Sequence, residues 1–101
     1  MSGPAIIAKI TAKPGKRDEL IAGLQAALDN AEAEPGTLVY VLHTDNGDPD
    51  TVWFYERYDS QEGLDAHRTS DAMKAVGLEL RDVAAGRPEI TVVTPVSGKG
   101  L

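Results

Sequence analysis

Hydrophobic and polar residues alternate along the first segment of the chain, which predicts a β-strand from Ala5 to Thr11. Pro14-Gly15-Lys16 breaks this strand. Apolar residues then recur at helical spacing and predict a helix from about Arg17 to Ala33, ended by Pro35-Gly36. The apolar stripe of this helix comprises Leu20, Ile21, Leu24, Ala27, Leu28 and Ala31.

The next two apolar segments predict a β-hairpin. Thr37 to Thr44 reads as a strand that places Leu38, Tyr40 and Leu42 on one face. Thr51 to Tyr58 is a further strand, rich in aromatic and β-branched residues. The segment between them, residues 45–50, is dense in turn-forming residues and would connect the two strands.

The last third of the chain predicts two helices and a strand. Ser60 is placed to cap a short helix running to about Arg68, and Ser70 to cap another running to about Ala85. The inward stripe of the second helix would be Met73, Val76, Leu80 and Val83, with Leu78 outside it. A final strand is predicted over Glu89 to Val93.

The resulting order, β-α-β-β-α-β, is typical of the α+β ferredoxin-like fold, whose antiparallel sheet carries helices on one face. The strands nevertheless place apolar residues on both faces, as in the neighbouring pair Trp53 and Phe54. A one-sided sheet should show polar residues on its open face. We therefore expect a second copy to cover that face in a homodimer; the alternative is a monomer with a few exposed apolar side chains.

Composition sets the broad class. A chain of 101 residues fits one domain, with an ordered core over about residues 5–94 and a tail over 95–101. The net charge of -6 makes nucleic acid and anionic membranes unfavourable partners. The sequence has no cysteine and no window apolar enough to span a membrane, so a cytoplasmic location is expected.

Two titratable side chains are candidates for acid–base chemistry. His67 shares a helix face with Leu64, which should point inward, so it could act as a general base near neutral pH. The alternative is a core histidine bonded to a backbone carbonyl. Glu56 shares a strand face with Phe54 and Tyr58, where burial would raise its pKa; a structural ion pair is equally compatible with this position.

Other polar groups have weaker support. Asp71 could orient His67 if one helix ran through both, although an acidic residue after Ser70 also suits a helix start. The only two histidines, His43 and His67, have no carboxylate cluster at ligand spacing, so no metal site is predicted. No glycine-rich phosphate loop follows a strand, so no nucleotide cofactor is predicted either.

An ordered set of short segments resembles the antibiotic biosynthesis monooxygenase family. The segments are Glu34-Pro35-Gly36-Thr37-Leu38-Val39-Tyr40, Phe54-Tyr55-Glu56-Arg57-Tyr58, and Asp59 to His67 with Ser70. In that family a Glu-Gly…Tyr strand start, a Glu-x-Trp strand end and an Ala-His helix recur at similar spacing. The opening from Ile10 to Leu20 also matches, so the resemblance spans about residues 5–94.

The resemblance implies a dimeric α+β barrel with a pocket in each subunit between the sheet and the helices. It favours Tyr40 as pocket lining. Phe54, Tyr58 and Asp71 are further candidates for contact with the substrate. The chain departs from the family at two of these positions. Tyr58 stands where Trp is common, and Asp71 stands where members resembling quinol monooxygenases carry a second histidine.

Three functions follow as hypotheses. The first is a cofactor-independent monooxygenase that oxidises a phenolic, quinol or polycyclic aromatic substrate with O₂, using His67 as the base. The second is a dimeric module that binds a small ligand without converting it, because fold does not fix function. The third is an isomerase acting on a small metabolite. The first strand has no Asn, and Tyr58 occupies the Trp-type position, so haem degradation is disfavoured.

Overall fold

The strands and helices form in the predicted order in the structure, a computed structural model that describes residues 3–101. Both helices expected after the hairpin are present, so the order counted helix by helix is β-α-β-β-α-α-β. The elements are β1 (Ala5–Thr11), α1 (Arg17–Glu32), β2 (Thr37–Thr44), β3 (Thr51–Tyr58), α2 (Gln61–Arg68), α3 (Asp71–Glu79) and β4 (Glu89–Val93).

The long helix α1 forms on the predicted stripe. Its buried residues are Leu20, Leu24, Ala27 and Ala31, while Ile21 and Leu28 are partly buried against the same core. Its first turn carries Asp18 and Glu19, whose negative charge suits the positive end of the helix dipole. Burial of the stripe against the sheet holds α1 in place.

Serine caps begin both short helices, as predicted. The Ser60 hydroxyl accepts a hydrogen bond from the Gly63 amide at 3.1 Å. The Ser70 hydroxyl accepts one from the Met73 amide at 3.2 Å. Each bond satisfies an amide that the first helical turn leaves without a partner.

The third helix is shorter than predicted, because the residues after it bond to β1 instead. It ends at Glu79 and is followed by a 3₁₀ turn over Leu80–Asp82. The Val83 carbonyl accepts from the Lys13 amide at 2.8 Å, and the Ala85 amide donates to the Thr11 carbonyl at 2.8 Å. These backbone groups are therefore not available to extend the helix to Ala85.

The four strands form one antiparallel sheet in the order β2-β3-β1-β4, which confirms the ferredoxin-like fold. Its register aligns Tyr40 with Glu56, Glu56 with Ile6, and Ile6 with Val92 in one row across the sheet. Directly paired residues point to the same face. This row lies on the inner face of the sheet, which packs against the helices. In the core between them, Ile6 and Phe54 of the sheet lie with Leu24 of α1 and Leu64 of α2.

The outer face of the sheet remains apolar and partly exposed. Three exposed side chains lie next to one another on this face. Tyr55 on β3 is paired with Ile7 on β1 and with Val41 on β2. The alternation of apolar residues on both faces, read from the sequence, is therefore present in the structure. No helix within residues 3–101 is long and apolar enough to cross a membrane.

A register shift corrects one detail of the predicted hairpin. The pairing jumps between Thr37 and Val39, so that Leu38 has no cross-strand partner. Such a bulge interrupts the alternation of side chains along a strand. Leu38 is consequently 51% exposed, whereas Tyr40 and Leu42 pack against the core, and the three do not form one uniform face.

Candidate active site

A cavity of about 350 Å³ lies between the inner face of the sheet and the helices. This volume is within the range of small-molecule sites. Apolar side chains from every layer line it, including Ile6, Leu24 and Val76. Its polar lining side chains are Tyr40, Glu56, His67 and Arg68.

His67 reaches this cavity from the last turn of α2. It is 3% exposed and lies three residues after the buried Leu64, as the helical spacing predicted. Its Nδ1 atom lies 2.8 Å from Oε1 of Glu34. A carboxylate can only accept, so we assign the proton to Nδ1, which leaves Nε2 as the basic nitrogen of the ring.

Glu34 is itself held by two further side chains. The Thr37 hydroxyl donates to Oε1 at 2.9 Å, and the Asn30 amide donates to Oε2 at 3.0 Å. A carboxylate fixed in this way holds the imidazole of His67 in one tautomer and one orientation, as the carboxylate of a catalytic triad does. The sequence reasoning did not single out Glu34; the only signal was its place at the start of the family-like segment.

A close approach of two glycines brings Glu34 and His67 together. A Cβ atom on Gly63, in the first turn of α2, would lie 2.9 Å from the carbonyl oxygen of Gly36 and 2.6 Å from Oδ1 of Asp59. A Cβ on Gly36 would lie 2.9 Å from the Cα of Gly63. All three distances are shorter than the contacts that real Cβ atoms make. Only glycine at both positions lets α2 lie this close to the loop that carries Glu34.

Glu56 lies beside His67 on the row that crosses the sheet, and it is 7% exposed. The Tyr58 hydroxyl donates to its Oε1 at 2.5 Å. Burial raises the pKa of Glu56, although the Tyr58 hydrogen bond and the nearby His67 partly oppose this. The raised pKa agrees with the sequence expectation and would allow the group to exchange a proton nearer to neutral pH.

Two aromatic rings form the wall next to His67. The rings of Tyr40 and Phe54 have centroids 4.6 Å apart, and the ring of Tyr40 lies 5.0 Å from the imidazole. Burial, with a further contribution from the charge of Glu56, raises the pKa of Tyr40 above its ordinary value. Its phenol is therefore protonated at neutral pH and can donate a hydrogen bond but cannot serve as a base.

Two residues expected at the substrate have other positions. Tyr58 is fully buried and is not among the residues that line the cavity; its ring lies 5.5 Å from His67 and its hydroxyl supports Glu56. Burial and the bond to Glu56 raise the pKa of its phenol. Asp71 is the exposed first residue of α3 and also lies outside the cavity lining, so Glu34, and not Asp71, is the partner of His67.

Within residues 3–101, no three histidine, aspartate or glutamate side chains come together in a way that could hold a metal ion. The carboxylates of the turn over residues 45–50 accept hydrogen bonds from the turn itself and from nearby residues. Asp45 accepts hydrogen bonds from the indole of Trp53 at 2.7 Å and from the amides of Gly47 and Asp48. These bonds lower the pKa of Asp45.

The sequence profile of the antibiotic biosynthesis monooxygenase family matches residues 5–77. The chain belongs to this family. The match includes every residue of the cluster around His67, whereas the last strand and the segment before it lie beyond the matched range. Membership of the family agrees with the resemblance seen in the sequence.

Individual relatives of this monooxygenase family cover the chain to different extents. It is 30% identical over 97 residues to the Mycobacterium tuberculosis protein named "Putative monooxygenase Rv0793", and the match covers 95% of each chain. It is 31% identical over 65 residues to an uncharacterized Synechocystis protein, but spans only 44% of that protein. Among solved structures, a Caulobacter crescentus protein carrying the family's name superposes with a TM-score of 0.88 at 28% identity, covering 95% of this chain and 92% of that one.

Proposed function

We propose that the protein is a cofactor-independent monooxygenase that oxidises a phenolic, quinol or polycyclic aromatic substrate with O₂. The observation that carries this proposal is the buried His67, oriented by Glu34 at 2.8 Å and lining an apolar cavity of about 350 Å³. The arrangement supplies the two things such a reaction requires of a protein. These are a base for a phenolic proton and an apolar pocket that holds the reactants together.

In the proposed mechanism, Nε2 of His67 removes a proton from a hydroxyl group of the substrate. The electron-rich anion then transfers an electron to O₂, and the two radicals recombine on carbon. The imidazolium formed at His67 is stabilised by the Glu34 carboxylate, which is bound to Nδ1. Glu56, whose pKa is raised by burial, is the group placed to return a proton to the bound oxygen.

The overall reaction balances without an external reductant. The substrate loses two hydrogen atoms, which leave in water with one oxygen atom of O₂. The other oxygen atom enters at a carbon that carried hydrogen. A methylene carbon becomes a carbonyl, whereas in a hydroquinone a ring C–H becomes C–OH as the ring is oxidised to a quinone, so the substrate supplies all the electrons. The role of the protein is then to position the reactants, to deprotonate the substrate and to exclude water.

The surrounding residues divide into substrate contacts and supports in this proposal. Tyr40 and Phe54 form the wall against which an aromatic ring would stack. Tyr58 acts through Glu56, to which its hydroxyl is bonded, and not through the substrate. Asp71, exposed at the start of α3, is assigned no contact with the substrate.

We also propose that the protein works as a homodimer formed through the outer face of the sheet. Ile7, Val41 and Tyr55 lie on that face, and all are exposed in a single chain. Covering them would bury apolar surface, which is the dominant favourable contribution to association. The small size of the domain adds to the benefit, because a chain of this length buries a modest share of its surface alone.

Oxygen uptake tests the enzymatic proposal. The purified protein would be mixed with a panel of hydroquinones and dihydroxynaphthalenes, and uptake compared with autoxidation in its absence. Uptake above that background, with product containing one oxygen atom from ¹⁸O₂, supports the monooxygenase. Binding of these aromatics without uptake favours a module that binds a small ligand instead.

A further inference from the structure

A cleft lies next to the cavity, on the side of α3 and of the segment that follows it. It has a volume of about 460 Å³, and it shares Ile10, Gly77, Leu80 and Pro88 with the cavity lining. Gly77 and Pro88 are exposed, so the cleft is in contact with solvent. The two recesses therefore lie side by side, and we refer to them together as the path to His67.

The charged residues of this path are almost all arginines. Arg81 and Arg87 line the cleft, and Arg68 lines the cavity; all three are exposed. Among the residues that the structure describes, Glu56, beside His67, is the only one that brings a carboxylate to the lining of either recess. This is unexpected in a chain with 16 acidic and 10 basic residues.

None of the three arginines forms an ion pair with a carboxylate of residues 3–101. The ion pairs within residues 3–101 are those of Lys16 with Glu19 and of His67 with Glu34. The guanidinium groups of Arg68, Arg81 and Arg87 therefore have no carboxylate within 4.0 Å. Positive charge collected at the mouth of an apolar cleft attracts an anionic ligand more strongly than charge spread over an open surface.

The two ends of the path carry different polar groups. Glu34 and Glu56 place carboxyl groups around His67, whereas Arg81 and Arg87 line the outer cleft. An anionic substituent is therefore more stable beside the two guanidinium groups than beside the two carboxyl groups. A substrate with an anionic substituent would thus enter in one orientation, with its uncharged end at His67.

We propose that the substrate is an aromatic acid, with its ring in the cavity and its carboxylate bound by Arg81 and Arg87. This inference rests on the proposed monooxygenase function and specifies its substrate class. The planar guanidinium group matches a carboxylate through paired hydrogen bonds. A single negative charge also suits a protein of net charge -6 better than a polyanion does, because the long-range repulsion is smaller.

Binding measurements with a matched pair of ligands test this inference. The ligands are 6-hydroxy-2-naphthoic acid, with its hydroxyl and carboxylate at opposite ends, and its uncharged methyl ester. Titration calorimetry without O₂ gives both dissociation constants for the wild-type protein and for Arg81→Gln/Arg87→Gln. Lys13→Gln/Lys74→Gln removes the same charge from exposed positions outside both recesses, and is the control.

We expect the wild-type protein to bind the acid about ten-fold more tightly than the ester, as two partly exposed charge pairs would provide. The arginine double variant should bind the two ligands equally, with no change for the ester, and the lysine control should retain the preference. Raising the salt concentration from about 0.01 M to about 1 M should weaken binding of the acid only. Far-UV circular dichroism and thermal melting verify that the variants are folded.

Equal binding of acid and ester to the wild-type protein would overturn the inference. So would a preference for the acid that persists in the arginine variant, or binding of neither ligand. Oxygen uptake separates this inference from the one it rests on. Aromatic acids bound through the arginines but never oxidised would refute the monooxygenase alone, whereas oxidation of neutral quinols without any preference for acids would refute the aromatic-acid substrate alone.

Discussion

The imidazole of His67 is bonded through Nδ1 to the carboxylate of Glu34, 33 residues earlier in the chain. The two residues come from different layers of the fold, one from α2 and the other from the loop between α1 and β2. Their contact gives the imidazole a fixed tautomer inside an otherwise apolar cavity. The contact shows that His67 is bonded to a carboxylate and not to a backbone carbonyl, which was the alternative left open by the sequence.

Replacing His67 should abolish most of the proposed activity. His67→Ala removes the base. With the compound of the panel that gives the fastest uptake, we expect oxygen uptake to fall by about 10²–10⁴-fold. The matched control is His43→Ala, since His43 is exposed on β2 and bonds only to the Trp53 carbonyl, at 3.3 Å. Uptake that survives in His67→Ala would remove this residue from the mechanism.

Replacing Glu34 should disturb the orientation of His67 without removing it. Glu34→Gln keeps the shape but offers an amide that can donate to Nδ1, so the other tautomer becomes accessible. We expect a loss of about 10–100-fold in uptake, in line with the effect of residues that orient a functional histidine. Nitrogen-15 NMR of the ring should show Nδ1–H in the wild type and a mixture in the variant.

The control for that variant is Glu32→Gln, at the exposed end of α1. It should leave both uptake and the NMR spectrum unchanged. If Glu34→Gln keeps a pure Nδ1–H tautomer, the carboxylate does not orient His67 and the assigned role is wrong.

Adding a methyl group at Gly63 should separate α2 from the loop that carries Glu34. The new Cβ would lie 2.9 Å from the Gly36 carbonyl oxygen, and we expect Gly63→Ala to destabilise the protein by about 1–3 kcal/mol. Gly77→Ala is the control, because a Cβ there meets nothing within 4 Å and the helix gains about 0.5–1 kcal/mol. Urea unfolding measures both, and equal stability of the two variants would contradict the close approach.

The raised pKa of Glu56 predicts a pH-dependent effect on stability. The folded state holds this proton more tightly than the unfolded chain, whose pKa is near 4.5. As the pH rises from that value through the raised folded pKa, the wild type loses stability that Glu56→Gln retains. The melting temperature of Glu56→Gln should equal that of the wild type below about pH 4. At pH 7 it should be a few degrees higher than that of the wild type.

Thermal melting over this pH range, with the exposed Glu79→Gln as a control, checks the sign. A difference between Glu56→Gln and the wild type that does not change with pH would show that the carboxyl is not titrating abnormally. Gln at position 56 can still accept the hydrogen bond from Tyr58, so the comparison isolates the charge.

A charge on the outer face of the sheet should prevent the proposed dimer from forming. Val41 is 45% exposed there, and Val41→Lys would place an ammonium group in the apolar interface. We expect sedimentation equilibrium to show a dimer for the wild type and a monomer for the variant at micromolar concentration. Leu78→Lys changes an exposed leucine on α3 and should remain dimeric; a monomeric wild type would end the proposal.

The sequence predicted the strands and α1 well, because each follows from local alternation or helical spacing. The end of α3 could not be predicted in the same way. Its position depends on two backbone hydrogen bonds with residues near the end of β1, which lie far away in the chain: the Val83 carbonyl accepts from Lys13, and the Ala85 amide donates to Thr11. The bulge at Leu38 is likewise set by the register of two paired strands, not by the residues of β2 alone.

The candidate site was predictable to the extent that it depends on single elements. His67 and Glu56 followed from the parity of a helix and a strand. Glu34 did not, because its contact with His67 requires two glycines to meet between a loop and a helix. The burial of Tyr58 behind Glu56 also depends on packing that the pattern along one strand does not specify.

The pairing of β1 with β4 has a consequence for how the protein is made. Ala5 lies opposite Val93. Because β1 is synthesised first and β4 last of the four strands, the pairing of β1 with β4 cannot form until β4 has been synthesised. Contacts between such distant segments form slowly, because a long loop must close first. The cavity wall includes Ile90 on β4, so the pocket is incomplete until β4 has left the ribosome and paired with β1. Binding of substrate could therefore begin only after translation has passed β4.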